Sequence, residues 1–110
     1  MMTSNEMLNT YETLSELTSN MLDAARLGEW DQLTELEKRC KVHVNQLMAS
    51  TQVRLNEKEQ RSKIAIIRSI LQNDAKIRAL TEPHMHAMQQ QLHMMRTSQR
   101  SIQAYGAQRA

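Results

Sequence analysis

Four histidines and one cysteine are the residues of this 110-residue chain best suited to bind a metal ion or act as a nucleophile. His84 and His86 are two positions apart, so on a helix they point to nearly opposite sides. His86 and His93 share a side but lie about 10 Å apart, and one ion with metal–nitrogen bonds of about 2 Å cannot span that gap. The spacing therefore predicts no metal site, and histidines that face solvent or take part in packing.

Cys40 and His43 are three residues apart, a spacing that would suit a nucleophile and its base on one helical face. Cys40 falls, however, on the apolar side of a predicted helix, where a buried thiol is inert. Carboxylates such as Glu35 and Glu37 face different ways on a solvated helix, and two glycines cannot form a phosphate-binding loop. We therefore predict no catalytic site, no cofactor and a protein that is not an enzyme.

Charge is distributed unevenly along the chain: residues 1–37 carry a net charge of −7 and residues 38–110 a net charge of +9. A basic stripe follows the third predicted helix and consists of Arg54, Lys58, Arg61, Arg68 and Lys76. We expect this stripe to be solvated or to pair with the acidic first helix. Nucleic-acid binding is the alternative, but no recognition-helix pattern and no interleaved aromatic residues accompany the stripe.

Composition predicts the class of fold. Gly and Pro total three residues and Phe is absent, whereas helix-forming residues dominate. The single Cys fits a reducing cytoplasm, the N-terminus does not resemble a signal peptide, and no stretch approaches the ~20 apolar residues of a membrane span. We expect one all-α domain over residues 1–110, located in the cytoplasm, without membrane insertion.

Local signals predict where the helices begin and end. Thr3 with Glu6 reads as a capping box, and Gly28 suits the left-handed cap that ends a first helix. A second helix from Glu29 would then form an antiparallel hairpin with the first; its apolar positions are Trp30, Leu33, Leu36, Cys40, Val44 and Leu47. Asn56 with Glu59 predicts the start of a third helix.

The third helix has apolar residues on two sides. Ile64, Ile67, Leu71 and Arg78 lie on one side, and Ile66, Ile70 and Ile77 lie roughly 100° away. Together they cover about 160°, more than the ~100° that a simple surface helix needs. We therefore expect two different neighbours to cover this helix.

The heptad spacing that begins with Ile64 and Ile67 continues further along the chain. Its later apolar positions are Met85, Met88, Leu92 and Met95. Pro83 predicts a kink or a break, and Thr97-Ser98 predicts the cap of a short fourth helix within residues 97–110. Methionines here serve either as core filler or as a pliable surface for a partner helix. The expected fold is an antiparallel bundle of three helices, the third long and kinked at Pro83, plus a short C-terminal fourth helix.

Three segments resemble one known family. Residues 22–33, with the sequence Leu-Asp-Ala-Ala-Arg-Leu-Gly-Glu-Trp-Asp-Gln-Leu, look like the junction of helices 1 and 2 in FliT-type flagellar export chaperones. Residues 67–74 resemble that family's helix 3, and residues 98–106, which end in Ala-Tyr-Gly, are similar to its short last helix. The three segments occur in order and at the family's spacing.

This resemblance implies a function and a site. It implies a cytoplasmic chaperone for type III export that binds the flagellar filament-cap protein, the export ATPase and the export gate, and that restrains the flagellar master transcription activator. Carried over by position, the partner-binding residues are Ile67, Leu71 and Arg78, to which we add Ile64 and Ile70 of the apolar arc. The fourth helix, with Ile102 and Tyr105, would shield part of this surface. Arg78 stands where the family commonly has Lys.

Besides nucleic-acid binding through the basic stripe, two alternatives remain open at this point. A purely structural coiled-coil scaffold is one, although the heptad run is interrupted at Asp74, Arg78, Thr81 and Pro83. The other concerns the occupant of the apolar surface on the third helix, which could serve a homodimer or a client protein equally well.

Overall fold

The computed structural model describes the backbone of residues 2–50 and 53–108, together with the side chains of those up to residue 97. Its helices are α1 (Ser4–Leu27), α2 (Trp30–Met48) and α3 (Glu57–Gln108). No strand occurs in the described ranges. The prediction of an all-α protein is therefore confirmed for this part of the chain.

The ends of α1 are set by the residues that the sequence indicated. The hydroxyl of Thr3 accepts a hydrogen bond from the backbone N–H of Glu6 at 3.2 Å, which satisfies one of the donors left over at a helix start. At the other end, Gly28 has φ 70°. The backbone N–H of Gly28 donates to the carbonyl of Ala25, and that of Glu29 to the carbonyl of Ala24. This is a Schellman ending, which turns the chain directly into α2.

The start of α3 is a reciprocal capping box. The side-chain oxygen of Asn56 accepts from the backbone N–H of Glu59 at 2.8 Å, and the carboxylate of Glu59 accepts from the backbone N–H of Asn56 at 3.0 Å. The hydrogen bond from the Asn56 backbone, followed by one from the Ser4 side chain, lowers the pKa of Glu59. The ionised carboxylate therefore favours the folded state.

Replacing Glu59 with Gln is expected to flatten the acid side of the stability profile. Because the folded state lowers the pKa of Glu59, the charge stabilises the fold above about pH 4.5, and this contribution is lost as the pH falls through the lowered value. Wild type should exceed Glu59→Gln in free energy of unfolding at pH 7, and the difference should shrink once the pH falls below the lowered pKa of Glu59. Denaturant titrations at both pH values measure this, with the exposed Glu35→Gln as the control. A constant difference across the range would contradict the assignment.

The chain divides into two compact units, Met1–Arg78 and Ala79–Ala110. In the first unit, α1 and α2 pack against each other. They run antiparallel, because Cys40 contacts Met21 near the connecting turn, whereas the start of α1 lines a groove with the end of α2. The core of this unit draws on all three helices and contains Leu22, Ala24, Ala25, Leu33, Leu36 and Ile77.

The first turns of α3 run parallel to α1. Asn73 contacts Thr18 and Ser69 contacts Ser15, so residue numbers rise together along the two helices. Further toward their starts, the ammonium of Lys63 lies 5.7 Å from the ring centroid of Tyr11. These contacts place the face of α3 that carries Ile77 toward α1 and α2.

The second unit consists of the remainder of α3, and it shows neither a break at Pro83, one of the two expected outcomes there, nor a separate fourth helix. The helix continues through Pro83 without a break. Proline removes only the hydrogen bond to the carbonyl of Ala79, and both residues are exposed, so water can solvate that carbonyl. The hydroxyl of Thr97 donates to the carbonyl of His93 at 2.9 Å. Thr97 therefore bonds within α3, and a separate fourth helix is not seen.

Candidate partner-binding surface

Two large apolar side chains on α3 face solvent in the first unit. Ile64 is 47% exposed and Leu71 is 60% exposed. They are seven residues apart, two helical turns or about 10.5 Å along the axis. Single exposed apolar residues are ordinary on a protein surface, but two in line on one face of a small unit form a strip that a second helix can cover.

Four of the five predicted partner-binding residues share this face of α3. Ile64, Ile67, Leu71 and Arg78 follow one another at steps of three, four and seven residues, and we call them the outer face. Ile67 is half-buried. Ile70, the fifth predicted residue, is also half-buried and lies seven positions before buried Ile77, on the side that packs in the core. The two-sided pattern in the sequence thus corresponds to one packed side and one outward side.

A polar layer lies between α1 and α3 on the side of α3 opposite to solvent, and it accompanies the rotation of α3 that turns the outer face outward. Thr18 is only 8% exposed, and its hydroxyl accepts from the side-chain amide of Asn73 at 3.1 Å while donating to the carbonyl of Ser15 at 2.9 Å. The hydroxyls of Ser15 and Ser69 lie 3.4 Å apart. The sequence analysis did not predict this layer. A signal for it was present, because polar residues interrupt the regular spacing of apolar residues on both helices.

Arg78, at the end of the outer face, is held by its own helix. Its guanidinium lies 2.9 Å from the carboxylate of Asp74, four residues earlier. Both side chains are exposed, and an exposed pair of this kind contributes only about 0.3–0.5 kcal/mol to stability. The pair therefore fixes the position of the Arg78 side chain more than it stabilises the fold.

Arg61 and Arg68 of the basic stripe lie beside the outer face, and the stripe does not pair with α1 in the described part of the chain. Lys58, Arg61, Arg68 and Lys76 are exposed, and no ion pair joins them to the acidic side chains of α1 in the described part of the chain. The contacts between α1 and α3 are instead made by neutral hydroxyl and amide groups and by Lys63 on Tyr11. Of the two expectations for the stripe, the structure therefore favours solvation.

The residues considered for chemistry do not assemble a site in the described ranges. No group of three metal-ligating side chains occurs there. Cys40 is half-buried and its Sγ contacts the Sδ of Met21 at 3.5 Å. Burial, and then the charge of Glu37, raise the pKa of the Cys40 thiol, which keeps it protonated and unreactive. Among the described residues, no helix is long and apolar enough to cross a membrane.

The second unit carries its own exposed apolar stripe. Met85, Met88, Leu92 and Met95 are all exposed and keep heptad spacing. Flexible methionine side chains adapt to different partner shapes. Ile102 and Tyr105, predicted to shield the outer face, have side chains outside the described part of the structure.

Comparison with known proteins finds one family and one fold. The family model described as "Flagellar protein FliT" matches residues 8–107. The crystal structure of flagellar protein FliT from Bordetella bronchiseptica is similar, with a TM-score of 0.68 and 28% sequence identity over 76% of this chain and 96% of that chain. A search of curated proteins found no match.

Proposed function

Because the chain belongs to the FliT family of flagellar proteins, we propose that it is a chaperone of flagellar type III export that holds the filament-cap protein before export. The observation that carries this proposal is the outward position of Ile64 and Leu71 on α3. A chaperone of this kind works in the cytoplasm, because its cargo is bound there before export. It needs a binding surface and no catalytic group.

The mode of binding is a helix laid along the outer face. Fully burying an exposed Ile or Leu side chain contributes about 1.5–3 kcal/mol. Ile64 and Leu71 have about half of their surface left to bury, so together they offer roughly 1.5–3 kcal/mol before the costs of association. Ile67 adds the part of its side chain that is still exposed, Ile70 lines the inner edge, and Arg78 limits the surface at one end. An amphipathic cargo helix would supply the matching apolar stripe.

Further partners would use the same surface in turn. We propose that the export ATPase and the export gate receive the loaded chaperone, and that the flagellar master transcription activator competes with cargo for the outer face. One strip only two turns long accommodates one helix at a time. Binding of cargo and restraint of the activator would then exclude each other, which links gene expression to the amount of unexported cargo.

The C-terminal segment would regulate access. We propose that residues 97–110, through Ile102 and Tyr105, compete with partners for the outer face in molecules in which α3 is broken before residue 97, because in the continuous helix the two segments lie along one axis. Such a competitor lowers the apparent affinity by the fraction of molecules in which the surface is covered.

A second use of apolar surface, pairing of two copies, is favoured by the heptad-spaced stripe of Met85, Met88, Leu92 and Met95. Coiled-coil helices associate through this spacing.

The test is complex formation between the purified chain and the purified filament-cap protein, followed by calorimetry and light scattering. We expect a saturable complex with equal numbers of both chains, and light scattering distinguishes a 1:1 from a 2:2 assembly. A chain ending at Arg96 should bind more tightly if residues 97–110 compete for the surface. Absence of any complex at tens of micromolar (roughly −6 kcal/mol or weaker) would refute the cargo assignment, and weaker binding by the shortened chain would place residues 97–110 inside the site.

A further inference from the structure

Two arginines run beside the exposed apolar pair on α3 and repeat its spacing. Arg61 is three residues before Ile64, and Arg68 is four residues after Ile64 and three before Leu71. Residues three or four apart are neighbours on a helix surface. The two guanidinium groups are themselves seven positions apart, so a charged row and an apolar row lie side by side with the same repeat of about 10.5 Å.

Neither arginine is engaged within the described part of the chain. Arg61 and Arg68 are exposed and make no hydrogen bond or ion pair with another described residue. Arg78 differs, because its guanidinium is bound to Asp74, and Lys63 differs because it lies over Tyr11. The positive charge beside Ile64 and Leu71 is thus available to a partner.

The segment of α3 around Arg61 and Arg68 also carries a net positive charge. Residues 57–78 contain six basic and three acidic side chains, a net charge of +3. Two of the three acids are already used within the chain, Glu59 in the capping box and Asp74 in the ion pair with Arg78. A partner with carboxylates near Arg61 and Arg68 would therefore meet little competition from the protein itself.

We propose that the outer face selects an amphipathic helix that carries carboxylates along one flank of its apolar stripe. This inference rests on the proposed function and deepens it by naming the chemistry of the partner. The partner helix would place two apolar side chains on Ile64 and Leu71 and two carboxylates, also about two turns apart, on Arg61 and Arg68. Guanidinium groups bind carboxylates through paired hydrogen bonds, so the charged row would fix the direction and register of the bound helix.

The test uses two designed helical peptides of about 20 residues, near the length at which an isolated helix becomes stable. They share one leucine stripe and differ only in one flank, which is Glu in the first peptide and Lys in the second. Fluorescence anisotropy at low salt should show the Glu peptide binding at least about tenfold more tightly, and this ratio should shrink as salt rises.

Charge reversal of the protein gives the decisive comparison. The Arg61→Glu, Arg68→Glu variant should reverse the preference and bind the Lys peptide more tightly. The control is Arg39→Glu with Lys41→Glu, which makes the same change in charge at exposed positions of α2 and should keep the preference of wild type. Equal binding of the two peptides, binding of neither, or an unchanged preference in the Arg61→Glu, Arg68→Glu variant would overturn the inference.

Failure of this inference is distinguishable from failure of the proposed function. If the filament-cap protein binds but the peptides are not discriminated, the chaperone assignment stands and the acidic-flank rule is wrong. If the peptides are discriminated but the filament-cap protein does not bind, the surface is as described and the cargo assignment is wrong. A duplex DNA of ~20 base pairs, which binds through phosphates alone, is included as well; DNA binding that depends on Arg61 and Arg68, without peptide discrimination, would assign the basic row to nucleic acid.

Discussion

Replacing Ile64 and Leu71 together with Asp is expected to weaken binding of the filament-cap protein by at least about 100-fold without unfolding the protein. Each substitution removes the contact of the part of the side chain still exposed, about 0.7–1.8 kcal/mol, and would place an unpaired carboxylate in the interface, which adds a desolvation cost. Ile64 is about half exposed and Leu71 more than half exposed before binding, so the free energy of unfolding should change by no more than about 1 kcal/mol per site. Calorimetry measures the affinity, and circular dichroism measures helix content and melting.

Val42→Asp supplies the matched control for this double variant. Val42 on α2 is 57% exposed, close to the value for Leu71, but it has no large exposed apolar neighbour seven residues away. The variant should bind cargo as wild type does. If the double variant keeps its affinity, the outer face of α3 is not the cargo site. Equal losses in both variants would instead indicate a general effect of added negative charge.

Helix ends were predictable from the sequence because they are determined by neighbouring residues. The hydrogen bond at Thr3, the left-handed Gly28 and the reciprocal box of Asn56 with Glu59 all occur where the residue types indicated. Each depends on side chains within a few positions of the helix end. No knowledge of the rest of the fold was needed.

The path of the chain after Leu80 was harder to predict. It depends on whether a continuous helix has a lower free energy than a helix that breaks at Pro83 or starts again at Thr97. Pro83 costs α3 one hydrogen bond and some steric crowding, but an exposed carbonyl can bond to water. Thr97 was expected to cap a new helix. In the structure its hydroxyl bonds to the carbonyl four residues earlier, which Thr does within helices as readily as it caps them.

Which apolar positions are buried was predicted well near the turn between α1 and α2 and less well away from it. Leu33 and Leu36 lie in the core as expected, whereas Val44 is exposed and His43 is half-buried instead. The buried Thr18 and its bond to Asn73 were not anticipated, because periodicity counts apolar residues and assigns polar ones to solvent. A buried hydroxyl becomes acceptable only when a partner satisfies it, and that partner is 55 positions away.

The outer face followed from the breadth of the apolar arc on the third helix. One small unit cannot cover 160° of a helix surface, so some of Ile64, Ile67, Leu71, Ile70 and Ile77 had to face outward. Periodicity alone did not reveal which side would. In the structure the polar layer of Ser15, Thr18, Ser69 and Asn73, together with buried Ile77, occupies the packed side of α3, and both require the same rotation of this helix.

Replacing Ile77 with Ala is expected to destabilise the protein strongly. Ile77 is 6% exposed. Among the described residues it is the one that α3 contributes to the buried core cluster, whose other members lie on α1 and α2. Truncation of a buried Ile to Ala costs about 2–5 kcal/mol because it removes apolar contacts and leaves a cavity. Thermal unfolding followed by circular dichroism should show a melting temperature lower by roughly 8 °C or more.

Two further variants separate the inner and outer sides of α3. Ile77→Val should cost only about 0.5–1.5 kcal/mol, which tests whether the loss scales with the volume removed. Leu71→Ala, six positions earlier on the outer face, should leave the melting temperature nearly unchanged, because its side chain is already in water. If Leu71→Ala and Ile77→Ala lowered stability equally, α3 would have no distinct outward side, and the strip assigned to cargo would be part of the core. A large difference in stability, together with a loss of binding confined to the outer residues, would show that one helix holds the bundle together with one side and receives its partner with the other.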